Sequence, residues 1–239
     1  SPANIPVNVS SIGLRAYQNC IAIPSIDIQD AFALRTIGES AFESCVAMEG
    51  NLSFSSAIAA TESVETIGDN AFRGCMKLTD HLYFPPNLKS IGVSAFDGCI
   101  GLNGTIVFPR NDSFTVIPDR AFADCVGITG ISTNTGNGSS LQYSNGSAIP
   151  NGLIIPPKVT RIGKEAFLNC SKFALGLDLN TTPNPAQNPN PPRLTLNIQS
   201  IGNAAFSGCA AFTSLVLPAS SQYTVVAEEC FKGCIGVQA

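Results

Sequence analysis

Short alternations of apolar and polar residues recur along the whole chain. Leu82 and Phe84 bracket Tyr83, and the triplets Ile106/Val107/Phe108, Leu177/Asp178/Leu179 and Leu215/Val216/Leu217 follow the same rhythm. A period of two over so few residues predicts short strands with one buried face. Pro85, Pro109, Pro156 and Pro218 come next. A proline has no N–H to give to a ladder and ends a strand. A second pattern follows each strand: an aliphatic residue, two others, Ile-Gly, and then Ala-Phe-x-x-Cys. Its apolar positions have the spacing of one helical turn facing inward. The Phe is expected to anchor the core. The glycine at Gly38, Gly68, Gly92, Gly163 and Gly202 is expected to take a backbone angle that other residues avoid.

The second pattern occurs eight times. Five copies are close: TIGESAFESC (Thr36 to Cys45), TIGDNAFRGC (Thr66 to Cys75), SIGVSAFDGC (Ser90 to Cys99), RIGKEAFLNC (Arg161 to Cys170) and SIGNAAFSGC (Ser200 to Cys209). Three are looser: SIGLRAYQNC (Ser11 to Cys20), VIPDRAFADC (Val116 to Cys125) and VVAEECFKGC (Val225 to Cys234). Successive cysteines are 25, 30, 24, 26, 45, 39 and 25 residues apart. The strand half repeats too, since HLYFPPNLKSIG aligns without a gap on GLIIPPKVTRIG. One such unit cannot bury its own apolar face, whereas stacked units share a continuous core.

A strand followed by IGxxAFxxC, in units of about two dozen residues, resembles the BspA-like leucine-rich repeat, also called the Treponema-pallidum-type repeat. The resemblance implies an α/β fold. The expectation is a leucine-rich-repeat solenoid with one open parallel sheet of short strands and short helical turns opposite. Residues 1–239 are expected to form a single solenoid of about eight repeats. The resemblance also implies a cell-surface or secreted protein, engaged in adhesion or host interaction. It transfers no binding residue, because the repeated positions are scaffold.

The frame is interrupted at Ser55 to Ser63, near 127–151 and at 180–193. The last is the Pro/Asn-rich run NTTPNPAQNPNPPR, expected to be an extended excursion. The polar, glycine-rich stretch at 127–151 is either a long loop or a degenerate repeat that lost its IGxxAFxxC half. Insertions in repeat proteins often form a binding edge, though a surface loop also tolerates added length at little entropic cost. Both ends fall inside a unit, which suggests a piece of a longer array or a pairing of ends.

Charge and chemistry narrow the function. Charged residues make up 13% of the chain and the net charge is −4, with no basic cluster of the kind nucleic acids need. No apolar run is long enough to span a membrane. Eight of the nine cysteines share one inward slot, which predicts buried free thiols rather than disulfides. Cys230 replaces the alanine of another copy and is expected in the core. Its spacing from Cys234 is poor for a disulfide. With no CxxC pair and His81 as the sole histidine, a zinc site is not expected, and neither is any other cofactor. A Ser-His-Asp triad would have to use His81. Asp27 and Asp178 share the outward strand slot but lie in distant repeats, so they make a poor carboxylate pair. No phosphate loop or dinucleotide fingerprint occurs. An enzyme is not expected.

What remains is a surface. The outward strand slots carry Asp27, Ser53, Tyr83, Val107, Ile154, Asp178 and Val216, with His81 just before Tyr83. This partly apolar row is the candidate interaction surface. Its partner would be another protein or a cell-surface macromolecule, such as a host matrix protein or a glycan. The expected function is a non-enzymatic extracellular or cell-surface module for protein binding or cell adhesion. The alternative is a structural spacer that presents other domains. Asn-x-Ser/Thr sequons, at Asn8, Asn51, Asn103, Asn111, Asn137, Asn145, Asn169 and Asn180, are possible glycan acceptors in a secreted eukaryotic protein. Asn169, beside Cys170, would be a poor one.

Overall fold

The structure is a computed structural model. It describes residues 3–28, 31–53, 64–109, 111–133, 155–156, 158–173, 177–178, 198–212, 215–217, 223 and 225–236. The described chain runs as successive coils whose strands form two ladders of parallel pairs. The first ladder comprises β1 (Ala3–Asn4), β3 (Ile26–Asp27), β5 (Glu49–Ser53), β7 (Lys77–Tyr83), β9 (Thr105–Phe108), β11 (Gly130–Thr133), β13 (Leu177–Asp178) and β15 (Leu215–Val216). Its central part is a four-stranded sheet in the order β11-β9-β7-β5, flanked by the pairs β1-β3 and β13-β15. The second ladder is made by the residue pair ending in the Ile of each Ile-Gly step. These strands are β2 (Ser11–Ile12), β4 (Thr36–Ile37), β6 (Thr66–Ile67), β8 (Ser90–Ile91), β10 (Val116–Ile117), β12 (Arg161–Ile162) and β14 (Ser200–Ile201). They pair in the orders β2-β4-β6-β8 and β10-β12-β14. The expected single sheet is therefore two ladders.

The expected helical turns are absent from the described residues, and the hydrogen bonds show why. In IGxxAFxxC, alternate N–H groups close turns within the segment: Ala16 N donates to Gly13 O (3.3 Å), Gln18 N to Arg15 O (3.2 Å) and Cys20 N to Tyr17 O (3.0 Å). The N–H groups between them leave the segment. Arg15, Tyr17 and Asn19 donate to Glu39 O, Ala41 O and Glu43 O of the next coil, at 2.9, 2.7 and 2.8 Å. The same trio recurs at each later step, ending with Ala204, Phe206 and Gly208 on Glu228, Cys230 and Lys232. A helix would keep all these bonds to itself; here half of them tie coil to coil. The geometry needs two left-handed residues per segment, the second after the glycine slot and the one before the cysteine. Arg15 and Asn19 have φ of 55° and 59°, and Asn70 and Gly74 have 54° and 71°. The second slot holds Asn, Ser, Asp or Gly in every copy, and Asn, Asp and Gly are the residues that tolerate this conformation best.

The Ile-Gly glycines have a different role from the one expected. None of Gly38, Gly68, Gly92, Gly163 and Gly202 lies in the left-handed region. They are small because the neighbouring coil's backbone passes over them. A Cβ on Gly92 would lie 2.2 Å from Asp69 N, and one on Gly68 2.5 Å from Glu39 N. On Gly13, in the first turn segment, it would meet nothing within 4 Å.

One apolar core runs from Ile5 to Cys230. The aromatic slot forms a column, Tyr17, Phe42, Phe72, Phe96, Phe122, Phe167, Phe206 and Phe231, with ring centroids 5.0–5.7 Å apart and planes within 12° of parallel. Phe84 and Phe108, at the strand ends, pack edge-on against Phe96 and Phe122. The column passes straight across the 45-residue spacing. Arg120, Phe122 and Asp124 donate to Lys164, Ala166 and Leu168, and Val116 pairs with Arg161. Within that coil Cys125, Ile128, Ile131, Ile155 and Val159 fill the inward slots once each, all at most 1% exposed. The extra chain of the 45-residue spacing falls at 134–154, outside the described residues. Residues 54–63, 134–154 and 179–197, which hold most of the expected insertions, lie outside the described residues.

Candidate functional site

The outward row of the central sheet is set by strand register. Ser53 pairs with Tyr83, Tyr83 with Val107, and Val107 with Ser132. Asp27 stands opposite Asn4 in the β1-β3 pair and Asp178 opposite Val216 in the β13-β15 pair. Ile154 lies outside the described residues, and for Ser53, Asp178 and Val216 only the backbone is described. The expected row is thus three groups, of which one sheet joins Ser53, Tyr83 and Val107. Asp27 is exposed and Tyr83 half-buried. Val107 departs from the expectation: it points away from the core, yet it is only 3% exposed. A residue that closed off offers a partner almost no area.

His81 lies inside β7 rather than before the strand. It belongs to a bulge: Asn51 pairs with Thr79 and Ser53 with Tyr83, so β7 uses two more residues than β5 over that step. Asp80 takes φ of 64° there, the local kink that a bulge requires, and Leu78 and Leu82 on either side of it are both buried. Two side chains bridge the bulge to the next coil. Asp80 N donates to Asn103 Oδ1 (3.0 Å), and Thr105 N donates to His81 Nδ1 (2.9 Å). The His81 ring, tilted 42° to that of Tyr83 at 5.6 Å, serves as a backbone acceptor.

The cysteine slot also does more than fill space. Each thiol donates to the carbonyl of the aromatic slot one coil earlier: Cys45 Sγ to Tyr17 O, Cys75 to Phe42 O, Cys99 to Phe72 O and Cys125 to Phe96 O, all at 3.1 Å. Cys170, Cys209 and Cys234 continue the series at 3.2–3.3 Å. Each such carbonyl already accepts from the cysteine N–H of its own coil, so the thiol occupies its second lone pair. All nine cysteines are free. Burial pushes the thiol of Cys45 up to about 11 and those of Cys75 and Cys230 to about 12. They stay protonated, as donors must, and are poor nucleophiles and metal ligands. No group of three or more His, Cys, Asp or Glu that could hold a metal occurs among the described residues.

Two features escaped the sequence reading. The first is a chain of polar partners across the turn segments. Gln18 Nε2 donates to Glu43 Oε2 (2.8 Å), Glu43 pairs with Arg73 (3.6 Å), Arg73 with Asp97 (3.7 Å), and Asp97 with Arg120 (3.1 Å). Arg120 also reaches Glu165 and Asp124. Asp97 is buried beneath it. Burial works against a charged Glu165, but the bonds from Arg120 and Lys164 outweigh it and hold the carboxyl below its usual range. Acid and base alternate along this chain, so each described charge in it has an opposite neighbour.

The second feature is an aliphatic ridge. The residue after each cysteine is Ile21, Val46, Met76, Ile100 and Val126 in the first five turn segments. Ile21, Met76, Ile100 and Val126 are 63%, 48%, 49% and 38% exposed, and Val46 is half-buried. Most of their chain neighbours are small, with Asn19, Ser44, Gly74, Gly98 and Asp124 two positions before and Ala22, Ala47, Gly101 and Gly127 one position after; the exception is the exposed Lys77 after Met76. Two of those glycines are required, since a Cβ on Gly101 or Gly127 would lie 2.5 or 2.3 Å from a carbonyl of the coil below. The result is a row of apolar side chains one residue wide, bordered by Lys77 and Asp124. The signal was present in the sequence as an apolar residue in one more slot of every early repeat.

This geometry defines a class: a parallel β-solenoid of leucine-rich-repeat type. The family model described as the BspA type leucine rich repeat region matches residues 1–129, 50–174 and 191–239, with six copies, and the chain belongs to that family. The crystal structure of the T. pallidum leucine-rich-repeat protein aligns with a TM-score of 0.56 at 23% identity, covering 96% of this chain and 79% of that one. A leucine-rich cell-surface protein from Faecalibacterium prausnitzii aligns over 100% of this chain and 78% of its own, at 18% identity and a TM-score of 0.36. No curated protein matches the chain. Among the described residues no helix is long and apolar enough to cross a membrane.

Proposed function

We propose that this chain is a non-enzymatic binding module at the cell surface or outside the cell, and that it docks a protein partner along the aliphatic ridge. Family membership supports protein interaction as the general class of function. The observation that carries the reading further is the exposure of Ile21, Met76, Ile100 and Val126 in one repeated slot. A coil needs no apolar residue there for its own core, and contiguous exposed aliphatic area on a soluble protein marks a contact surface. The row itself is apolar, so the partner should present aliphatic or aromatic side chains to it. Tyr83 and Asp27 on the sheet remain the second candidate surface, for adhesion to a matrix protein or a glycan.

The test is capture of matrix and cell-surface proteins by the immobilised chain, compared across three forms. Met76→Glu/Ile100→Glu should abolish a saturable partner if the ridge binds, and Tyr83→Ala should do so if the sheet face binds. A partner indifferent to both changes would place binding elsewhere. The spacer reading is favoured by the coil-to-coil bonds, which tie each described turn segment to the next. It gains if the folded chain captures nothing.

A further inference from the structure

We propose that His81 is an acid-sensitive clasp between adjacent coils, which holds the outward face of the sheet at neutral pH and lets go when its ring is protonated. The inference goes beyond the binding reading and does not depend on it. What decides the behaviour is the ring atom that is used. Thr105 N–H donates to His81 Nδ1 at 2.9 Å, so Nδ1 must carry a lone pair and the ring's proton must sit on Nε2. A protonated ring has N–H on both nitrogens. It would then face the Thr105 N–H donor to donor, and the contact would turn from attraction to repulsion.

The surroundings give this one bond unusual leverage. The bulge in β7 removes Asp80 and His81 from the regular pairing, so the strands are stitched there by side chains. Asn103 and His81 supply the two stitches. Beyond them, Leu82 and Tyr83 pair with Ile106 and Val107. Gly104 passes so close that a Cβ on it would lie 2.8 Å from His81 N, and Gly104 O accepts from Thr129 N at 3.0 Å. Loss of the His81 bond therefore frees the start of β9 and the ring against which Tyr83 rests.

The charged and titratable groups on the strands around the ring are few. β7 itself carries Lys77, Asp80 and Tyr83; β5 brings Glu49, whose Cα partner is Lys77; β9 brings none between Thr105 and Phe108. The sign is fixed by the bond. The folded clasp binds only the neutral ring, while the released ring protonates freely, so the clasp is complete at high pH. It is lost when acid puts a second proton on the ring, because Nδ1 then has no lone pair to offer Thr105 N.

The experiment is NMR on the intact chain. At pH 8 the nitrogen shifts of the His81 ring should report the Nε2–H tautomer; an Nδ1–H tautomer overturns the proposal without any variant. The protection factor of the Thr105 amide against solvent exchange should then fall about three- to tenfold between pH 7.5 and 5.5, the worth of one hydrogen bond. In His81→Asn, whose side-chain oxygen can accept the same N–H but cannot titrate, the factor should stay level over that range. A flat profile in the wild type, or an equal fall in the variant, overturns it.

Discussion

A side chain in this molecule is judged by what the next coil needs of it. The glycines of the Ile-Gly step are spaces for a backbone. Gly92→Ala would force a Cβ to within 2.4 Å of Asp69 N, Asp69 Oδ1 and Gly68 C, and we expect a loss of about 3 kcal/mol in urea unfolding. Gly13→Ala, with nothing within 4 Å, should change stability by less than about 0.5 kcal/mol. Equal losses at the two sites would refute the close-approach account. The thiols obey the same logic. Their raised proton affinity means that the folded chain holds protons which the unfolded chain gives up. Their contribution is complete below about pH 8.5, the ordinary thiol value, and declines as pH rises toward the 11 and 12 of Cys45 and Cys75. Denaturation midpoints should be level from pH 7 to 8 and drop steadily above about 9. Alkylation at pH 8 should label half-buried Cys20 and Cys234 first and spare Cys75, Cys99, Cys125 and Cys170 until the chain unfolds. Rapid labelling of the buried four in the folded protein would contradict this.

At the scale of the element, the lesson is how a turn segment differs from a helix of the same composition. Ala-Phe-x-x-Cys has helical spacing, and that spacing correctly announced which side chains are buried. It could not announce where the N–H groups point. The clue lay in the residue before each cysteine, Asn19, Ser44, Gly74, Gly98, Asp124, Asn169, Gly208 and Gly233, a set suited to left-handed backbone and poor in a helix. The ridge is hidden for a related reason: inward slots and strand alternation say nothing of the residue after the cysteine. Val107 was misjudged because alternation gives a side chain's direction and not what covers it. The polar chain along the turn segments also belongs to this scale. Arg120 links three successive coils through Asp97, Asp124 and Glu165. Arg120→Leu leaves buried Asp97 with only the longer Arg73 contact, and we expect a loss of about 1–3 kcal/mol. That loss should shrink as acid protonates the carboxylates. A loss independent of pH between 7 and 3 would assign the effect to packing instead.

For the whole molecule, repetition made the fold legible. Eight copies of one motif announced a solenoid with parallel strands and a shared aromatic core, and the family match agrees. Repetition also limited what could be read of function, because a position repeated in every coil serves the stack first. Function must be sought where a slot is repeated without serving the stack, and the aliphatic ridge is that case. The most direct measurement is hydrogen-exchange footprinting of the folded chain with a captured partner bound, alongside the Met76→Glu/Ile100→Glu form. The account predicts slowed exchange in the turn segments around Ile21, Met76, Ile100 and Val126, and no complex with the double variant. Protection confined to the sheet around Tyr83, or a complex that survives both substitutions, would contradict it.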